Sequence, residues 1–348
     1  MKLSLLPAAM PSAWFNAAQW VPQEAGFQPW RVTPELVATA RNPHFTHRAS
    51  ASAGVRAEVK TDANALRIAL APSEPDEEER LTVDVVFDGR LHDRFTLERN
   101  AHGTPTTTTV SLPGGPGRLE VWLPHEGSVV LNELSLTGAT YCQAVPSRKK
   151  WLTYGSSITH CIEADGPSQT WPALVARKLD FELYALGMAG QCHLDYAIEQ
   201  TIAGSDVDAI SLCLGINIYG RGSFDERSLP GALHGFIARA RAAHPTVPVV
   251  VMSPLISPPA EEEPNVVGLT LAQVREIVRE VAQGFNAEAV TYIDGREIIG
   301  AAQAEAQLLA DELHPHSAGY GFMADRLTPH LAAAFDVPSA QSPLEVAT

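Results

Sequence analysis

The spacing of apolar residues changes near residue 145, and no single architecture accommodates both halves of the pattern. From about Val55 to Leu136 the apolar side chains alternate. "LTVDVVFDG" puts Leu81, Val83, Val85 and Phe87 on one face, Asp88-Gly89 marks a hairpin turn, and "RLHDRFTLE" follows. "RLEVWLP" sets Leu119, Val121 and Leu123 against Arg118, Glu120 and Trp122, and "VVLNELSL" continues in similar style. Short runs between turns such as "LPGGPG", with no convincing long helix, predict an all-β sandwich or jelly roll over residues 1–145.

The polar, basic "CQAVPSRKK" reads as a linker. Beyond it the short apolar runs "WLTYG", "ELYALG", "AISLCLG", "VPVVVMS" and "VTYID" alternate with helical stretches such as "LPGALHGFIARARAAH" and "LAQVREIVREVAQGF". Buried parallel strands joined by crossover helices give this pattern. A three-layer α/β domain is expected over 150–335, with a poorly ordered tail over 336–348. The 348 residues suffice for two domains of ordinary size.

A net charge of −15 disfavours nucleic acid and anionic membrane surfaces as partners. No apolar run approaches the ~20 residues that span a bilayer. The first residues, "MKLSLLPAAMPSAW", carry an apolar patch that Pro7 and Pro11 interrupt, too short for a signal-peptide core. Cys142, Cys161, Cys192 and Cys213 contain no C-x-x-C pair and are too scattered for a disulfide framework. A reducing, cytoplasmic compartment is therefore expected. The acidic "PDEEER" over 75–80 reads as a solvated loop.

Ligands of open parallel sheets bind beyond the carboxyl ends of the strands. After the first run come Gly155, Ser156 and Ser157; after the second, "GMAGQCHLD" with Gly187 and Gly190; after the third, "GINIYG" with Gly215 and Asn217. Before the last helix comes "ADELHPHSAGYG" with Asp311, His314 and His316. A serine, a histidine, an acid, glycine amides and an asparagine amide are the parts needed for acyl transfer. The hydroxyl needs a base, the base needs an orienting partner, and the tetrahedral intermediate needs donors.

Four short blocks, "GSSI", "GMAG", "GIN" and "DELH", stand in this order at strand and helix ends. Over residues ~150–330 they resemble the four blocks of the SGNH hydrolases, also called the GDSL esterase family. The resemblance implies a flavodoxin-like sheet in the order 2-1-3-4-5 and hydrolysis of esters or amides without metal or cofactor. By position it implies Ser157 as nucleophile, His314 as base and Asp311 as its acid. It implies an oxyanion hole from Ser157, Gly190 and Asn217. Residue chemistry leans the same way between the two serines, because Ser157 lies nearer the following turn, where backbone N–H groups meet an oxyanion. Ser156 and Ile218 depart from the family, which usually has aspartate at both places. A β-sandwich ahead of such a domain resembles some carbohydrate esterases, and a short-chain acyl ester, foremost an acetyl ester, of a sugar or small metabolite is the expected substrate. The competing G-x-S-x-G elbow is absent.

Each residue also has a plainer reading. Ser157 alone is a turn or cap residue, His316 competes with His314 for the role of base, and Gly187 suits close backbone packing. His160, Cys161, Cys192 and His193 gather zinc-type ligands or a Cys161–Cys192 bridge near one mouth, but a serine site needs no metal. Arg221, Tyr219 and Trp171 flank the blocks and stand outside the catalytic set. Two rival functions share the same sequence: an acyltransferase using the same acyl-enzyme, and a non-catalytic carbohydrate-binding protein.

Overall fold

The protein's structure, a computed structural model, describes residues 2–73, 79–98, 104–285 and 289–337. The tail expected over 336–348 therefore lies outside the described residues from 338 onward, as do residues 75–78 of the acidic run.

The alternating half forms two antiparallel sheets of six strands each. One is built around Val129–Thr137 and Ala65–Pro72, the other around Arg56–Thr61, Gly117–Trp122 and Thr82–Phe87. Leu81, Val83, Val85, Leu119, Val121 and Leu123 point inward against Leu66, Ile68 and Leu70 of the facing sheet. Asp88 and Gly89 take φ of 47° and 73°, the left-handed pair a tight hairpin requires. The segment expected to be a linker begins as structure: Cys142–Ala144 pairs with Arg56–Thr61, because Cys142 packs on the sandwich core.

The outer face of the second sheet is charged yet buried. Arg56, Glu58, Asp84 and Glu120 are each at most 1% exposed. Glu58 accepts from Arg56 at 2.5 Å, Arg118 at 2.6 Å and Arg148 at 2.7 Å. Asp84 holds Arg94 at 2.6 Å and both the N–H and hydroxyl of Ser168 at 2.9 and 2.7 Å. Arg56 also reaches the Leu183 carbonyl at 3.1 Å. This face docks the sandwich onto the α/β half, and its charges are paired, as burial demands.

That half is a five-stranded parallel sheet of Lys150–Gly155, Glu182–Gly187, Ala209–Cys213, Val249–Met252 and Val290–Ile293. Numbered along the chain, the strands lie in the order 2-1-3-4-5. Alternate residues enter opposite layers. Leu152, Tyr154, Ile210, Leu212, Val249 and Val251 pack under helices Tyr196–Gly204, Leu229–Ala243 and Leu271–Gln283. Trp151, Leu183, Ala209 and Val250 pack under Trp171–Leu179 and Ser317–Ala334. Among the described residues no helix is long and apolar enough to cross a membrane.

Two short helices interrupt the region expected to be all β. Pro34–Ala40 and Pro43–Ser50 each carry proline at the first turn, and Asn42 Oδ1 caps the second by accepting from His44 and Phe45 N–H groups at 2.9 and 3.3 Å. Their apolar residues Val37, Phe45 and Ala49 join the core of the parallel sheet, not the sandwich core. They bring the N-terminal region to the edge of the sheet where the strands end.

Candidate active site

The first parallel strand ends at Gly155, and the chain turns at once. Ser156 is extended, and its Oγ accepts from the Ile158 N–H at 3.3 Å, capping the single helical turn Ser157–His160. An aspartate, usual at this place in the family the blocks resemble, is an equally good cap, so serine keeps the bracing. The turn sits on the end of the second strand. A Cβ at Gly187 would come within 2.3 Å of the His160 nitrogen, so glycine is required there. Trp171, buried under the turn, donates from Nε1 to the Ile158 carbonyl at 2.9 Å.

Ser157 Oγ lies 2.8 Å from His314 Nε2, and His314 Nδ1 lies 2.8 Å from Asp311 Oδ2. One tautomer serves both contacts: Nδ1 donates to the carboxylate while Nε2 accepts from the hydroxyl. Asp311 Oδ1 accepts the backbone N–H of His314 at 2.7 Å and of Leu313 at 3.2 Å. The three-residue step thus folds back on itself and presents ring and acid together. Burial works to raise the Asp311 pKa. The backbone bond from His314, the ring bond and the ring's charge outweigh it, so the carboxyl ionises below its ordinary value. His316 is elsewhere: its Nε2 donates to the Gln307 carbonyl at 2.9 Å and its Nδ1 caps helix Ser317–Ala334.

Gly190 has φ 68°, a left-handed conformation, with open space where a Cβ would stand. Asn217 lies in the short helix Ile216–Arg221, and its Oδ1 accepts from the Cys192 N–H at 3.1 Å. That bond leaves its Nδ2 to face away. Among the described residues none accepts from Asn217 Nδ2 or from the N–H groups of Ser157 and Gly190. Ile218, where the family usually has aspartate, is fully buried in the core.

Ser157, Gly190, Asn217 and His314 line one cavity of about 390 Å³, with Asp311 holding the histidine from outside it. A larger cavity of about 880 Å³, lined by Ile256, Pro258, Leu309 and His316, contains none of these four. The sequence pattern did not reveal the opposite wall of the smaller cavity. His44, His47 and Arg48 supply it from helix Pro43–Ser50. Glu79, the end of the acidic run expected to be solvated, fixes this wall from behind: it lies 2.7 Å from His47 Nε2 and accepts from Arg48 at 3.1 Å. Asn42 Nδ2 donates to Gln191 Oε1 at 3.1 Å and ties the helix cap to the Gly190 loop.

Arg31 completes the seam. It is 2% exposed and donates to the carbonyls of Ala51 at 2.8 Å, Ala185 at 3.2 Å and Gly187 at 2.9 Å, and to that of Arg48. Burial, then the charge of Arg48, lowers its pKa to about 9, so it stays charged at neutral pH.

The sulfur and imidazole groups near the mouth have separate partners. All four cysteines are unpaired, with Cys161 and Cys192 in different core layers, so the bridge between them is not made. His160 Nε2 donates to the His125 carbonyl at 2.5 Å, and His193 Nε2 donates to the Gly190 carbonyl at 3.1 Å. Of the flanking residues, Tyr219 donates its hydroxyl to the Glu263 carbonyl at 2.9 Å, and Arg221 alone lines the cavity.

Residues 153–322 match the family model of the GDSL-like lipase/acylhydrolase family, and residues 16–132 match that of the SsfX3 N-terminal domain. Among solved structures the chain is similar to the salicylyl-acyltransferase SsfX3 from a tetracycline biosynthetic pathway. Identity is 28% and the TM-score 0.85, over 98% of this chain and 99% of that one. A family two carbohydrate esterase from Clostridium thermocellum, solved with cellohexaose, shares the fold at 16% identity and TM-score 0.63, over 82% of this chain and 94% of that one. The acetyl xylan esterase Est2A from Butyrivibrio proteoclasticus does so at 13% identity and TM-score 0.56, over 82% and 90%. A sequence search of curated proteins finds no significant match. From the first parallel strand to the helix after the Asp311–His314 step, the chain thus matches the GDSL-like lipase/acylhydrolase family, with a segment that matches the SsfX3 N-terminal domain ahead of it.

Proposed function

We propose that the protein is a serine esterase that takes a short acyl group from an ester onto Ser157 and passes it to water. The observation that carries this reading is the continuous path from Ser157 Oγ through His314 to Asp311, opening on a cavity with unpartnered donors. Ser157 Oγ attacks the ester carbonyl as His314 Nε2 takes its proton. Asp311 keeps the ring oriented and balances the imidazolium. The N–H groups of Ser157 and Gly190 and the Asn217 amide hold the oxyanion, each worth about 3 kcal/mol. The alcohol leaves with the proton from His314, and water repeats the sequence in reverse. A cavity of about 390 Å³ suits a small acyl group, and acetyl on a sugar or small metabolite is the leading substrate. In this reading residues 150–335 carry the chemistry, and residues 1–145 serve as the accessory unit that lends the cleft a wall.

A second reading has a specific observation in its favour. The full-length similarity to SsfX3, an acyltransferase, supports an acceptor alcohol in place of water. Both readings need the same acyl-enzyme. The test is hydrolysis of p-nitrophenyl acetate, butyrate and octanoate, with intact-mass detection of acyl-Ser157 and product analysis with and without added alcohols. Full activity in Ser157→Ala overturns both readings. Ester product formed in preference to free acid selects the transferase.

A further inference from the structure

We propose that the substrate carries a negatively charged carboxylate or phosphate group, and that Arg221 at the cavity wall recognises it. This rests on the acyl-transfer reading above.

The cavity runs against the composition of the chain. Acidic residues number 40 and basic ones 25, yet among the described residues no aspartate or glutamate lines this cavity, whereas Arg48 and Arg221 both do, with His44, His47 and His314. The balance behind the wall is also positive. Glu79 is the carboxylate that meets Arg48, and it is shared with His47. Arg31, just behind the Gly187–Gly190 loop, is held by carbonyl oxygens with no carboxylate among its partners. Two guanidinium groups thus line the cavity and a third lies behind it, and among the described residues Glu79 is the one carboxylate that bonds any of them.

Arg221 differs from the other two. Arg31 is engaged in joining the N-terminal region to the sheet, and Arg48 in holding helix Pro43–Ser50 to Glu79 and the Glu126 carbonyl. Arg221 ends the helix that carries Asn217, is exposed, and its side chain has neither a hydrogen bond nor an ion pair among the described residues. It therefore offers its full set of planar donors to a ligand at the wall opposite helix Pro43–Ser50, four residues along from the Asn217 amide. A neutral acetyl ester leaves these charges unanswered. A carboxylate or phosphate beside the ester answers them, and a concave, positively lined site in an acidic protein also draws an anion selectively.

The test compares a matched pair, 4-acetoxybenzoate and its methyl ester, which differ by one negative charge. Titration calorimetry on Ser157→Ala measures binding with the chemistry switched off. The charged ester should bind at least about fivefold more tightly, with the gap narrowing as salt is raised. Adding Arg221→Met should cost the charged ester at least about fivefold more than the neutral one. Equal affinities, a preference that survives Arg221→Met, or no binding of the charged ester at millimolar concentration each overturn the inference. Turnover of the same two esters by the native protein separates this inference from the one beneath it. Turnover without charge preference removes the anion site and keeps the acyl-transfer centre. Charge-selective binding without turnover does the opposite. A phosphorylated pair of the same design, 4-acetoxyphenyl phosphate and its dimethyl ester, then distinguishes phosphate from carboxylate.

Discussion

The carbonyl of Gly190 accepts a 3.1 Å hydrogen bond from Nε2 of His193, whose Nδ1 lies 2.8 Å from Ser223 Oγ. A neutral ring protonated on Nε2 satisfies both contacts, and burial favours it by pulling the His193 pKa below its ordinary value. The backbone of a residue that lines the cavity is thereby pinned by a ring outside it. His193→Ala should lower kcat about tenfold and leave KM nearly unchanged, since the Gly190 donor it aligns is proposed to act on the transition state. Steady-state kinetics with p-nitrophenyl acetate give the split. A raised KM with intact kcat would instead place His193 in substrate binding.

The adjacent serines should separate cleanly. Ser157→Ala should reduce kcat by about a thousandfold or more. Ser156→Ala removes only a helix cap and should cost about 1 kcal/mol of stability with kcat within a few-fold of native. Ser156→Asp should restore the stability. Denaturant unfolding and esterase assays on the three variants check this, and loss of turnover in Ser156→Ala alone would reverse the assignment.

Acid should weaken the structure from just below neutral pH. Burial, and then Arg80, lowers the His125 pKa to about 4. Burial, and then Arg31 and Arg48, lowers that of His160 well below its ordinary value. Both rings are thus neutral in the folded state at pH values where the unfolded chain already binds their protons. Stability is complete above the unfolded value of about 6.5 and falls as pH drops below it, by up to about 1.4 kcal/mol per pH unit for each ring. For His125 the loss levels off near pH 4, its folded value. Urea unfolding from pH 7.5 downward measures the slope, and a flat profile between about pH 6.5 and 5 contradicts it.

Arg31 is the residue whose loss should damage both halves together. Arg31→Met leaves the carbonyls of Ala51, Ala185, Gly187 and Arg48 without this donor in a dry seam. A cost of about 3 kcal/mol or more is expected. Activity should fall with it, because the seam positions the Gly187–Gly190 loop. Thermal melting and kcat measured together test this. Unchanged melting would show the four oxygens to be satisfied without the guanidinium.

The five parallel strands and the turns that carry Ser157, Asn217 and the Asp311–His314 step were legible because their signals are local, whereas the strand order and the roles of Ser157, His314 and Asp311 came from the family resemblance. Buried parallel strands are continuous apolar runs, and each ends in a glycine or polar turn that marks the sheet edge. Helix Pro43–Ser50 also left a local signal, Asn42 before Pro43, but eight residues with only Phe45 and Ala49 facing inward make a weak period. Their partner surface lies more than a hundred residues away in the chain. The charged face of the second sheet misleads for a different reason. Glu58 and Glu120 alternate with apolar neighbours as solvent-facing residues do, and only the arrival of Arg148 and the second strand's Leu183 shows that this face is interior.

The wall formed by His44, His47 and Arg48 belongs to a stretch of chain more than a hundred residues before Ser157. In the proposed reading, one wall that meets the substrate and the acyl-transfer residues are thus written in separate parts of the gene. Drift or recombination in the early part would then reshape that wall while the residues proposed to break and make the ester bond are inherited intact.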